Sequence, residues 1–226
     1  MTKQRVWIYG DSFSDENYNS KNNVSWPILL SEKYTVVNRS QQGLSPDRLI
    51  TYLLEDITNY HMSDDILIFI MPHEGRFDFE FLLDYSHSHS IHHISERINL
   101  YKNQTKFIES FYTLFATDEL LTLYAKKNFL VVEQLSKFFK KHLIWPTSNP
   151  IEYMYNVSQV TTTLFDISLG EENCPLTDGG TDTRACHLNE ENNYIMFELL
   201  QDWIDNDTII NTNRFVLAPA NTLTCK

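Results

Sequence analysis

The sequence predicts an α/β fold built on a mostly parallel sheet, and three observations point there. Short apolar runs bounded by turn residues alternate with longer stretches of helical periodicity, as repeated strand–helix–strand units require. At 226 residues the chain is long enough to bury one sizeable core. Its 42% hydrophobic and 13% aromatic content is that of a globular chain and not a disordered one.

The elements follow in order. Val6-Trp7-Ile8-Tyr9 predicts a first strand over residues 6–9. Trp26-Pro27-Ile28-Leu29-Leu30 then starts a helix, with Ser25 as its N-cap and Pro27 tolerated in the first turn. Residues 34–38 form the second strand. Ser45-Pro46-Asp47 opens a second helix that carries Leu49, Tyr52, Leu53 and Ile57 at helical spacing. The uninterrupted apolar run 66–71 is the third strand. A long helical tract over residues 94–141 follows, with Phe107, Phe111, Leu114 and Phe115 on one face and Leu130, Leu135, Phe138 and Phe139 on another. A break near Thr117-Asp118 gives its second half a cap. Residues 142–145 and 163–167 complete five strands, and residues 189–203 form the last helix through Tyr194, Ile195, Phe197, Leu199 and Leu200. The expectation is a single domain, residues 1–226, with a core over about 6–205 and a C-terminal extension, 206–226, that serves either as an added strand or as a docking tail.

Charge narrows the partners. Eighteen Lys and Arg against thirty Asp and Glu leave a net charge of −12, a field that repels phosphate backbones and anionic lipid. No nucleic acid and no membrane partner is expected, and the apolar runs are far too short to span a bilayer. Cys174, Cys186 and Cys225 are too few for a disulfide framework, and no apolar export segment precedes the first strand. A cytoplasmic protein with reduced thiols is the expectation, with a Cys174–Cys186 bridge across a loop as the lesser alternative, and the five Asn-X-Ser/Thr sequons beginning at Asn23, Asn38, Asn103, Asn156 and Asn206 are read as chance.

The first strand ends in Gly10-Asp11-Ser12-Phe13-Ser14-Asp15, which puts a serine where a strand turns sharply and its hydroxyl is presented. A serine is a weak nucleophile at neutral pH and needs a base beside it. The best-placed base is His187, where a Gly-, Asp- and Thr-rich loop meets the last helix. In an open parallel sheet, that loop and the turn after the first strand both end at the carboxyl side, where ligands bind.

Taken together, the Gly-Asp-Ser turn near the N-terminus, Trp26 with Leu29 and Leu30 on the first helix, Asn38 followed by Gly43, and a histidine opening the final helix resemble the SGNH, or GDSL, hydrolase superfamily. The resemblance runs from about Val6 to Trp203. It implies a flavodoxin-like three-layer α/β/α sandwich, here with a five-stranded parallel sheet, and a serine hydrolase acting on carboxylic esters without metal or organic cofactor. Ser12 matches the family's nucleophile and His187 its general base. Gly43 matches the glycine whose amide, with that of Ser12, holds the oxyanion.

Two departures stand out. The family's third block places an Asn donor after the third strand, whereas this chain reads Met71-Pro72-His73-Glu74-Gly75-Arg76. Losing one oxyanion donor costs about a hundredfold to a thousandfold in turnover, so His73 and Arg76 are the expected substitutes. The family's Asp three residues before the histidine is Arg184 here, which leaves Asp182, with Asp178 behind it, to orient His187 unless a backbone carbonyl does so. The expected substrate is a small-molecule or carbohydrate ester, with an O-acetyl group favoured over lipid because no amphipathic interfacial helix is evident. The alternative is a catalytically impaired member kept as a carbohydrate-binding or structural module. The asparagine-rich character and the altered third block are similar to superfamily members of viral and marine bacterial origin.

Other chemistry-bearing residues take plainer readings. His87, His89, His92 and His93 lack interleaved Cys, Asp or Glu and read as a solvated loop instead of a metal site. Phe77, Phe79 and Phe81 alternate as core or pocket wall, and Cys186 reads as inert packing.

Overall fold

Strand β1 (Arg5–Tyr9) lies inside a parallel sheet, paired with β2 (Thr35–Asn38) on one side and β3 (Ile66–Met71) on the other; β4 (Lys141–Pro146) adds to β3, giving the order β2-β1-β3-β4. The computed structural model describes residues 3–16, 24–73, 76–77, 110–111, 113, 117–147, 160, 162–168, 174–175, 181–182 and 187–216.

Side chains alternate across the sheet with the period of two that strands impose. Val6, Ile8, Ile66, Ile68, Ile70, Leu143 and Trp145 face α1 (Trp26–Lys33) and α5 (Glu190–Asn206). Trp7, Tyr9, Leu67, Phe69, Met71 and Ile144 face α2 (Pro46–Asn59) and α3 (Asp118–Ser136). Both faces being covered, every residue of β3 is buried, which is why its sequence is apolar without interruption. Each such side chain removed from water contributes about 1.5–3 kcal/mol. The result is the expected three-layer α/β/α arrangement.

Three helices start where their capping residues predict. Ser45 Oγ accepts from the Arg48 amide at 3.2 Å, Thr117 Oγ1 from Leu120 at 3.3 Å, and Asn189 Oδ1 from Asn192 at 2.8 Å. Ser25 also sits at the N-cap of α1, but its side chain makes no capping bond; the Trp26 amide donates instead to Asn193 Oδ1 of α5 at 3.1 Å.

The sheet has four strands among the described residues, not five. Residues 163–167, expected as the fifth, enter the short helix α4 (Leu164–Ser168). The cause is local. Thr163 Oγ1 accepts from the Asp166 amide at 3.0 Å and donates to Asp166 Oδ2 at 2.7 Å, while the Thr163 amide turns toward the same carboxylate at 3.4 Å, so a reciprocal cap closes a helical turn. A separate two-stranded antiparallel ribbon pairs β5 (Cys174–Pro175) with β6 (Thr181–Asp182).

Helix α5 ends at Asp207, whose φ of 55° is left-handed, and Lys141 Nζ donates to the Trp203 carbonyl and to the Asp207 carboxylate there. Beyond it the core continues. Ile210 and Phe215 are buried with the α1–α5 cluster, Phe215 meets Trp145 edge-on at 6.1 Å, and Asn192 exchanges two hydrogen bonds with the backbone of Val216. No helix among the described residues is long and apolar enough to cross a membrane.

Candidate active site

From β1 the chain passes to β2 on one side, and from β2 it crosses to β3 on the other, with α1 and α2 on opposite faces. The order of the sheet therefore reverses at the carboxyl end of β1, where a crevice opens in folds of this kind. Gly10-Asp11-Ser12 stands at that point.

Gly10 has no room for a side chain: a Cβ there would lie 2.1 Å from Ser14 Oγ and 2.8 Å from Ile70 Cβ. Asp11 is fully buried and shapes the turn. Its Oδ1 accepts from the Phe13 amide at 3.1 Å, and its carbonyl accepts from the amides of Ser14 and Asp15, each at 3.0 Å. Its Oδ2 takes Arg76 Nη1 at 2.5 Å.

Ser12, held in this turn, places Oγ 2.9 Å from Nε2 of His187, 175 residues away in the chain. That is hydrogen-bonding distance for a nucleophile and its base. The Phe13 ring stacks on the imidazole at 5.0 Å with 25° between planes, fixing one face of His187.

Gly43 adopts φ 79°, the left-handed region a side chain enters at a cost of about 1–2 kcal/mol. Its loop is stitched to the serine turn: the Gln41 amide donates to the Gly10 carbonyl at 3.2 Å, the Gln42 amide to Asp15 Oδ2 at 2.7 Å, and Asn38 Nδ2 to the Ser14 carbonyl at 2.8 Å. Beneath this loop the buried Asp56 accepts from Tyr9 Oη at 2.9 Å and from Arg39 Nε at 2.8 Å. Burial first, and Asp56 next, push the Tyr9 phenol far above its ordinary pKa, while the hydrogen bond to Asp56 raises that of Arg39.

The remaining expected residues are less gathered. His73 is exposed, and its carbonyl accepts from the Arg76 amide at 3.2 Å. Arg76, expected as an oxyanion donor, gives one of its N–H groups to Asp11. The backbone of Asp182 lies in β6. Its side chain, together with Glu74, Phe79, Phe81, the histidines at 87, 89, 92 and 93, Asp178, Arg184 and Cys186, lies outside the described residues. Phe77 stacks on Tyr124 of α3 at 4.6 Å. Among the described residues no three His, Cys, Asp or Glu gather as a metal site requires.

No protein-family model matches this chain, and no curated protein does either. Several solved structures are similar to it, among them the following two. TesA is 12% identical, over 89% of this chain and 97% of that one, with a TM-score of 0.46. An acetyl xylan esterase from Geobacillus stearothermophilus is 11% identical, over 97% and 98%, with a TM-score of 0.35.

What the site can do chemically follows from its own atoms. A serine hydroxyl bonded to an imidazole nitrogen transfers its proton to the ring as it attacks an electrophilic carbon, and a ring so protonated returns it to the leaving group. Asn193 and Asp11 are the polar groups around this pair that sequence reasoning missed. Their signals were faint: a second asparagine in the first turn of the last helix, and an acidic residue inside a turn motif.

Proposed function

We propose that this chain is a serine ester hydrolase of the SGNH type, cleaving a carboxylic ester through an acyl-serine intermediate. The observation that carries the reading is the 2.9 Å approach of Ser12 Oγ to His187 Nε2 at the carboxyl end of the sheet. In this reading Ser12 Oγ bonds to the acyl carbon while its proton passes to His187. The tetrahedral oxyanion is held by the amides of Ser12 and Gly43, and its collapse expels the alcohol, protonated by His187. Water deprotonated by His187 then releases the acid and restores Ser12. Asp182 is the proposed orienting carboxylate for His187. The proposed substrate is an O-acetyl group on a carbohydrate or small molecule.

A second reading, a catalytically impaired binding module, is favoured by two observations: the third block has no Asn donor, and Arg76 is bound to Asp11. Hydrolysis of p-nitrophenyl acetate and of an acetylated sugar, with fluorophosphonate labelling read by mass spectrometry, separates the two. The hydrolase turns over and labels at Ser12, and both are lost in Ser12→Ala and His187→Ala. A folded wild type that neither turns over nor labels sinks the hydrolase reading.

A further inference from the structure

We infer that Trp26 and Asn193 are positioning residues, forming a buried strut that sets the distance between Ser12 and His187; the catalytic meaning of this rests on the hydrolase reading. The indole Nε1 of Trp26 donates to the carbonyl of Phe13, the neighbour of Ser12, at 2.9 Å. The amide of Trp26 donates to Asn193 Oδ1 at 3.1 Å. Asn193 Nδ2 in turn donates to the carbonyls of Leu188, the neighbour of His187, at 3.0 Å and of Asn189 at 2.9 Å. One indole and one carboxamide thus join the residue after the nucleophile to the residue after the base by a route that avoids the sheet. Trp26 and Asn193 are both fully buried, and Phe13 and Leu188 nearly so. Hydrogen bonds in such surroundings hold their geometry more firmly than at the surface.

The bland account is that Asn193 merely caps α1. Two observations favour the strut. Ser25 already occupies the N-cap position, yet its hydroxyl is buried with no hydrogen-bond partner among the described residues, while the Trp26 amide goes to a side chain on the histidine-bearing end of α5. Capping α1 also has no need of Asn193 Nδ2 on the two carbonyls after His187, nor of the indole on the Phe13 carbonyl.

A displacement of about 1 Å between reacting groups costs on the order of a hundredfold in rate. Trp26→Phe, which keeps the ring packing, and Asn193→Ala are therefore expected to lower kcat about 10- to 100-fold with KM within about twofold, and to slow fluorophosphonate labelling in parallel. The paired variant is expected to fall short of the product of the two, since the groups act in series. The deciding readout needs no turnover: the ring nitrogen resonances of His187 are recorded by NMR, and their response to Ser12→Ala reports the Ser12–His187 hydrogen bond. That response is expected in the otherwise wild-type chain and is expected to vanish in the Trp26→Phe and Asn193→Ala backgrounds, each checked for a native circular-dichroism spectrum. An unchanged response in both folded backgrounds, or none in the wild-type chain, overturns the strut. Failure of wild type to label overturns the hydrolase reading alone, and the NMR comparison still decides the inference.

Discussion

Two Asp–Arg pairs sit at opposite ends of one sheet. At the amino end, Asp65 accepts from Arg5 Nε at 2.7 Å and from the Trp7 indole at 2.8 Å, and its carbonyl receives the Lys140 amide at 2.9 Å, so it ties β1 to the entries of β3 and β4. At the carboxyl end, Asp11 takes Arg76. The amino-end Arg is 34% exposed and the carboxyl-end one 17%, with both carboxylates buried, so the ion pairs alone do not tell the two ends apart. A cleft of about 450 Å³ even lies beside the amino-end pair, lined by Lys3, Gln4, Arg5, Thr35, Asp64 and Asp65, but none of these is an imidazole. What differs is the other carboxylate oxygen. Asp11 turns it on its own backbone two residues ahead, at Phe13, and so folds the turn that holds Ser12 against His187. On the proposed hydrolase reading, that bond makes the Asp11–Arg76 pair part of the site, because it shapes the backbone beside the proposed nucleophile.

That comparison is open to direct attack. The largest effect is expected at the pair itself: Ser12→Ala and His187→Ala each lower kcat/KM for p-nitrophenyl acetate by about a thousandfold or more while leaving the melting temperature nearly unchanged. Next comes Asp11→Asn, which leaves Arg76 without its counter-charge. A loss of about 3 kcal/mol in urea denaturation is expected, together with at least a tenfold loss of turnover. Asp65→Asn should destabilise by about 1–3 kcal/mol with kcat/KM unchanged; if turnover falls as far as it does in Asp11→Asn, the distinction between the two ends is wrong.

Smaller effects sharpen the picture. His142, half-buried at the amino end of β4, has its pKa lowered chiefly by desolvation, with Lys137 adding to this and Glu133 opposing it. Below the ordinary value of about 6.5 the unfolded chain therefore binds more protons than the folded one. This contribution to stability is complete above that pH and is lost as pH falls through the window beneath it. Denaturation midpoints measured from pH 7 to 5 should decline less steeply in His142→Gln. Smallest are the caps. Thr163→Ala and Ser45→Ala should each cost about 1 kcal/mol, whereas Ser25→Ala, which removes no side-chain hydrogen bond among the described residues, should stay within about 0.5 kcal/mol.

The elements most legible in advance were those whose cause lies within a turn or two of chain. Strand β3 runs over the expected residues 66–71 because an apolar run covered on both faces has few alternatives. Ser45 opens its helix and Thr117 caps the next as expected, whereas Asn189, expected as the first residue of the last helix, stands one position outside it as the N-cap. The missed element was also locally encoded: Thr163 and Asp166 stand at capping-box spacing, and their reciprocal bonds override the β-branched and aromatic character that suggested a strand.

The alternation of strands and helices, the tight Gly-Asp-Ser turn and the candidate base can be read from the chain without its fold, because propensity, capping and side-chain period act over a few residues. That Ser12 and His187 stand 2.9 Å apart, that Arg76 goes to Asp11 and that Asn193 reaches the amide of Trp26 follow from long-range packing. Such partners are chosen when crossovers bring distant loops to one end of a sheet, and a buried donor there must take whichever acceptor the packing delivers.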